Sequence, residues 1–233
     1  MITAAAVHRR MLALADPDRA KSSQGFFKTG PGQYGEGDRF LGFTVPALRT
    51  LVREYAGLSL RATAALLKSP WHEERLLALL ILVRQYEDGD ATVRDEIYQC
   101  YIDNRSRINN WDLVDCSAPQ IVGAHLLHGG RGFLRDLARS SSLWDRRIAM
   151  LATFHYIKAG DFDDALAIAR MLLGDREDLI HKAVGWMLRE VGKRDRKALE
   201  RFLRAHADRM PRTTLRYAIE RFPDDLRRRY LAG

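Results

Sequence analysis

Three stretches decide the architecture: LLKSPWHEERLLAL (66–79), LARSSSLWDRRIAML (137–151) and MLLGDREDLIHKAVGWML (171–188). Each places a leucine pair or Leu-Ala before a short polar turn. Each then opens a helical pattern with a basic residue early on its first face. Arg75, Arg147 and Lys182 fall at that position. The first two are 72 residues apart, two periods of about 36, and the second two are 35 apart. The same step puts the missing middle position at Trp111 in RINNWDLVD and a further one near Arg216 in PRTTLRYAIE. A period in the mid-thirties marks paired-helix repeats, which stack into a solenoid with a concave face. Trp111 and Asp115 stand at i and i+4, as do Lys182 and Trp186, so each pair shares a helix face. The repeat therefore lines two indoles, one carboxylate and several cations along one groove, a surface suited to a polyanion with one local reactive point.

Working outward, nearly every segment carries helical periodicity. Val7, Met11 and Leu14 recur at helical spacing before Asp16-Pro17 breaks the pattern. Pro46 suits the first turn of a helix that runs to Gly57, Ser59 caps the next, and Ser69-Pro-Trp turns into HEERLLALLILVRQY. RINNWDLVD is expected to run on towards Val122. Ser140 to Ser142, Gly160-Asp161, Gly174-Asp175, Asp195 and Pro211 punctuate the remaining helices. KTGPGQYGEGDRFLGF (28–43), with five glycines, is the one long irregular segment, an ordered loop or a flexible lip. It lacks the Lys-Ser ending of a phosphate loop. No strand and no linker stand out. The fold expected is all-α, a single curved α-solenoid of five or six HEAT-like helix pairs forming one domain over 1–233.

The chain has 233 residues, enough for a substantial core, and a net charge of +8 in which arginine dominates. That balance favours an anionic partner, since the guanidinium fork donates two bonds to a phosphate. Two cysteines, Cys100 and Cys116, form no ligand cluster and suit a reducing compartment. No apolar run approaches the ~18 residues needed to span a membrane. The sequence thus reads as a soluble cytoplasmic protein.

Asp115, set among Leu113, Val114, Cys116 and Ala118, has two readings. It is either a helix carboxylate paired with an arginine of the next repeat, or a groove-facing carboxylate held ionised by cations such as Arg147. Trp71 and Trp144 read as core. Trp111 and Trp186 each share a face with a charge and suit an aromatic wall for a base or sugar. His125 and His128 are spaced for a metal but lack a third ligand. No nucleophile elbow, zincin or Cys-x-x-Cys pattern occurs. An enzyme built on this chain is expected to work without a nucleophilic triad, metal or cofactor.

INNWDLVD (108–115), LWDRRIA (143–149), DLIHKAVGWMLREVGKRD (178–195) and MPRTTLRYAIE (210–220) resemble the AlkD-type DNA alkylation-repair family, and FFKTGPGQYGEGDRFLGFTVPALR (26–49) resembles its N-terminal segment. The likeness covers nearly the whole chain. It implies a HEAT-like repeat protein, expected to be a monomer, that excises N3- and N7-alkylated purines from double-stranded DNA with the lesion kept in the duplex rather than flipped. It assigns the catalytic set to Asp115, Trp111, Trp186 and Arg147. It leaves open whether Phe27 or Tyr34 replaces a tyrosine that flanks the lesion. The phosphate contacts expected are Arg75, Arg147, Lys182, Arg189, Lys193 and Arg216. A cationic purine departs as a neutral base, so no general acid is required, and one carboxylate can both stabilise the sugar cation and place a water. The alternatives are a non-catalytic binder of duplex or branched DNA using the same cations, and a protein-binding scaffold, which would need an apolar groove.

Overall fold

The computed structural model describes residues 2–232 and divides into two compact units, Met1–Ile121 and Val122–Gly233. Both are helical. The described residues hold no β-strand, only an isolated bridge between Arg39 and Trp71. No described helix is long and apolar enough to cross a membrane.

The first unit contains α1 (Ala4–Ala13), α2 (Pro17–Phe26), α3 (Val45–Glu54), α4 (Leu60–Leu67), α5 (His72–Asp88), α6 (Ala91–Asp103) and α7 (Trp111–Asp115). Short side chains start several of them. Asp16, Ser59 and Asp90 each accept an N–H from the first turn that has no partner within the helix. At α5, Leu76, Leu77, Ala78, Leu79, Ile81 and Leu82 are all buried. An apolar surface that wraps most of a helix needs neighbours on several sides. α3, α4, α6 and α7 supply them.

The glycine-rich segment between α2 and α3 is an ordered loop stitched onto the start of α5. Glu73, buried in the first turn of α5, accepts the backbone N–H groups of Leu41 (2.8 Å), Gly42 (2.8 Å) and Phe43 (3.2 Å). The His72 N–H donates to the Arg39 carbonyl at 2.8 Å. Each bond to an ionised carboxylate contributes about 1.5–3 kcal/mol. Gly42 has a φ of +86°, and a Cβ there would lie 2.2 Å from the Asp16 carbonyl oxygen, so only glycine fits.

The second unit contains α8 (Ala124–Leu126), α9 (Gly132–Ala138), α10 (Leu143–Lys158), α11 (Asp163–Met171), α12 (Asp178–Arg194), α13 (Arg196–His206), α14 (Arg212–Ala218) and α15 (Asp224–Ala232). α10 packs on α12 and α12 on α14, forming one layer; α9, α11 and α13 back it. Ser142 and Asp195, at breaks the sequence marked, cap α10 and α13. α10 buries Ile148, Ala149, Met150, Leu151 and Ala152 in succession, as a helix packed on both sides must. The layer is tied at its N-terminal ends. Arg146 bonds Asp175 (2.6 Å) and the Ser140 and Ser141 carbonyls, and His181 donates to the Asp175 carbonyl (2.7 Å).

Candidate functional site

In the first unit the candidate residues sit on α7, a five-residue helix. Trp111 opens it and Asp115, half-buried, ends it one turn later. The helix does not run on towards Val122, as the sequence suggested. Pro119 has no N–H to continue the ladder, and the backbone widens into a π turn at Pro119–Gly123. Asn110 starts α7: its side-chain oxygen accepts the Trp111 N–H (2.8 Å) and its amide donates to Asp38 (3.1 Å). Asp112 lies 2.8 Å from His72. The Trp111 ring stacks on Phe27 (centroids 5.4 Å, planes 21° apart) and meets Phe26 edge-on at 6.1 Å. Phe27 stacks in turn on Phe40. The aromatic wall expected at Trp111 is therefore a cluster of rings, and Phe26, 67% exposed, is its solvent-facing member.

The step of about 36 residues set Trp111 in register with the cations. In the structure that register belongs to Asp115. Asp115, Arg147, Lys182 and Arg216 are each the fifth residue of α7, α10, α12 and α14. The carboxylate replaces a cation at the repeated position, while the indole occupies the helix start.

The second unit holds the remaining candidates. Arg147 is buried, at 4% exposed, and donates to the Leu179 carbonyl at 2.6 Å. Lys182 is half-exposed and pairs with Asp178 at 2.8 Å; its hydrogen bond holds the Asp178 carboxyl below the usual range despite partial burial. Trp186 is half-buried, with its ring 6.0 Å from Phe154. Next to it, Gly185 lets α14 approach α12: a Cβ there would stand 2.6 Å from the Thr214 carbonyl oxygen and 2.5 Å from Tyr217 Cβ. Arg189 is bound by Glu220, and Lys193 by Glu190 at 2.6 Å. Arg216 is exposed and makes no hydrogen bond or ion pair among the described residues.

The chain matches a family model described as DNA alkylation repair enzyme over residues 7–222. It belongs to the DNA alkylation repair enzyme family. Its fold matches a solved structure described as a predicted DNA alkylation repair enzyme from Enterococcus faecalis, with a TM-score of 0.69 at 16% identity, over 90% of this chain and 97% of that one. No curated protein matches it in sequence. The fold is thus the all-α solenoid of this family, and family membership assigns a role in repairing alkylated DNA.

Among the expected phosphate contacts of this repair protein, Arg75 needs correction. It is 3% exposed, its guanidinium bonded to Asp38 and to the Ser69 carbonyl (3.1 Å). It is a buried cation whose charge is matched inside the protein by Asp38. The spacing that singled it out is genuine, but exposure depends on Asp38, far away in sequence. Of the two aromatics expected near the lesion, Phe27 stacks on Trp111, and its neighbour Phe26, which the sequence reading did not single out, faces both solvent and Trp111. The clue was FF itself: adjacent residues on a helix point about 100° apart, so one of the two is left outside. Neither cysteine is poised as a nucleophile. Burial raises the Cys116 thiol, helped by the charges of Asp112 and Asp115, and burial raises Cys100.

Proposed function

We propose that this protein is a monofunctional DNA glycosylase that removes cationic N3- or N7-alkylated purines from duplex DNA, the whole chain acting as one DNA-binding module. The observation that carries this reading is the Trp111–Asp115 pair, one helical turn apart on α7, with Phe26 exposed at the edge of the indole. In an alkylated purine the N-glycosidic bond breaks with its electron pair passing to the base, which leaves neutral. The positive charge moves to the sugar, where a carboxylate lowers the barrier. Water then adds to the anomeric carbon and loses a proton to Asp115 or solvent. At an effective dielectric of ~20, opposite charges about 4 Å apart interact by roughly 4 kcal/mol, ample for a lesion already prone to depurinate. In this reading Trp111 and Phe26 flank the damaged nucleotide, and Trp186 offers the aromatic surface of the second unit to the DNA. The cations of the second unit that reach solvent, Lys182, Lys193 and Arg216, supply the charge for the backbone, while Arg147, buried and bonded to the Leu179 carbonyl, braces the start of α12 from α10.

Duplex DNA carrying N7-methylguanine is incubated with the protein and the free base is measured. Wild type releases the base and Asp115→Asn does so about 10²–10³-fold more slowly. Tight binding without release by wild type replaces this reading with that of a non-catalytic DNA binder.

A further inference from the structure

Behind α7 lies a buried polar chain that the glycosylase reading does not use. His72, 1% exposed at the start of α5, has Nδ1 3.0 Å from Asp38 and Nε2 2.8 Å from Asp112. A carboxylate only accepts, so both ring nitrogens donate and the imidazole is the cation. Asp38 also takes the Arg75 guanidinium and the Asn110 amide. Among the described residues the other Asp112 carboxylate oxygen is buried without a hydrogen-bond partner, and His72 is the counter-charge that Asp112 meets.

The two residues gripped by this chain, Asn110 and Asp112, flank Trp111 on either side. The ring behind Trp111 is held as well, since Phe27 lies 4.9 Å from the His72 imidazole and 5.4 Å from the indole. A five-residue helix cannot hold itself in place, because nucleation costs more than its few hydrogen bonds return. We propose that His72 is the positioning residue of the Trp111–Asp115 pair, clamping α7 against α5 through Asp112 on one side and Asp38 with Asn110 on the other. Its chemical consequence rests on the glycosylase reading; the clamp itself does not. The charges facing His72 are Asp112 from α7, Asp38 from the glycine-rich segment, and Arg75 across Asp38. Glu73 is turned to the backbone of residues 41–43, and Phe27 and Phe40 bring no charge. Burial works against the imidazolium, but the bonds and charges of Asp112 and Asp38 outweigh it and lift its pKa to about 9. The clamp is closed at neutral pH and opens on deprotonation.

The test uses the full chain labelled with 5-fluorotryptophan, its lines assigned by replacing each tryptophan with phenylalanine in turn. Between pH 7 and 10 the Trp111 line should move with a midpoint near 9, with the Trp186 line not following it. In His72→Gln the Trp111 line should already be displaced at pH 7 and should not titrate. A wild-type Trp111 line that stays fixed across this range overturns the proposal, and that measurement needs no variant to fold. Single-turnover release from N7-methylguanine duplex at pH 7.5 should fall about 10²-fold in His72→Gln with duplex affinity unchanged, as displacement of a reacting group by about 1 Å costs. A folded His72→Gln working at the wild-type rate also overturns it. If wild type releases no base, the glycosylase reading fails while the fluorine titration still decides the clamp.

Discussion

His72 Nε2 lies 2.8 Å from Asp112, so the first residue of α5 fixes the second residue of α7, 40 positions further along the chain. The contact joins a long, well-packed helix to a very short one, and the short one carries the candidate carboxylate.

That pairing makes stability depend on pH in the alkaline range. The His72 pKa is raised from 6.5 to about 9. The stabilisation is fully present below 6.5 and is lost as pH rises through 9. A tenfold change in proton affinity corresponds to about 1.4 kcal/mol, so roughly 2–3 kcal/mol should disappear between pH 7 and about pH 10. Urea unfolding across this range measures it, and the decline should be much shallower in His72→Gln.

Asp115→Asn keeps the side-chain shape and removes the charge. Release of N7-methylguanine should drop by about 10²–10³-fold, while duplex affinity holds or rises. Trp111→Ala and Trp186→Ala should instead weaken both lesion binding and rate, because an aromatic wall positions as well as stabilises. Full-rate excision by a folded Asp115→Asn protein would remove this carboxylate from the mechanism.

The cations of α12 and α14 differ in how far the protein already neutralises them. Arg216 makes no ion pair among the described residues, whereas Arg189 is bound by Glu220. In a plot of log affinity for undamaged duplex against log salt, Arg216→Ala should reduce the slope by about 1 and Arg189→Ala by clearly less. Equal effects would show that Glu220 releases Arg189 on binding.

Arg75→Ala should act on folding. It leaves buried Asp38 without its arginine, and breaking a buried pair costs about 3–5 kcal/mol. Chemical denaturation should show this loss, and the salt slope of the fraction that remains folded should equal that of wild type.

Gly185→Ala adds one methyl where α12 meets the backbone of α14. Overpacking of this kind costs about 1–3 kcal/mol. The midpoint of urea unfolding should fall accordingly, and lesion release should weaken in parallel because Trp186 is the next residue.

The sequence by itself determined what is local or periodic. The cap at Ser59, the proline at the start of α3 and the helix breaks at Ser140 to Ser142 and Asp195 follow from short-range backbone chemistry, and each sits where the residues predicted. The family was legible too, because its motifs are long and contain tryptophan. The tertiary structure alone decided which cations are spent inside the protein. Arg75 finds Asp38 37 residues before it and Arg189 finds Glu220 31 residues after it, and no local pattern signals either pairing. It alone set Asp115, rather than Trp111, in register with Arg147 and Lys182, because α7 begins at the indole. It also drew His72, Asp38, Asn110 and Asp112 into one buried cluster. Charges hidden from water must be matched in space. The chain meets that demand with residues up to 72 positions apart.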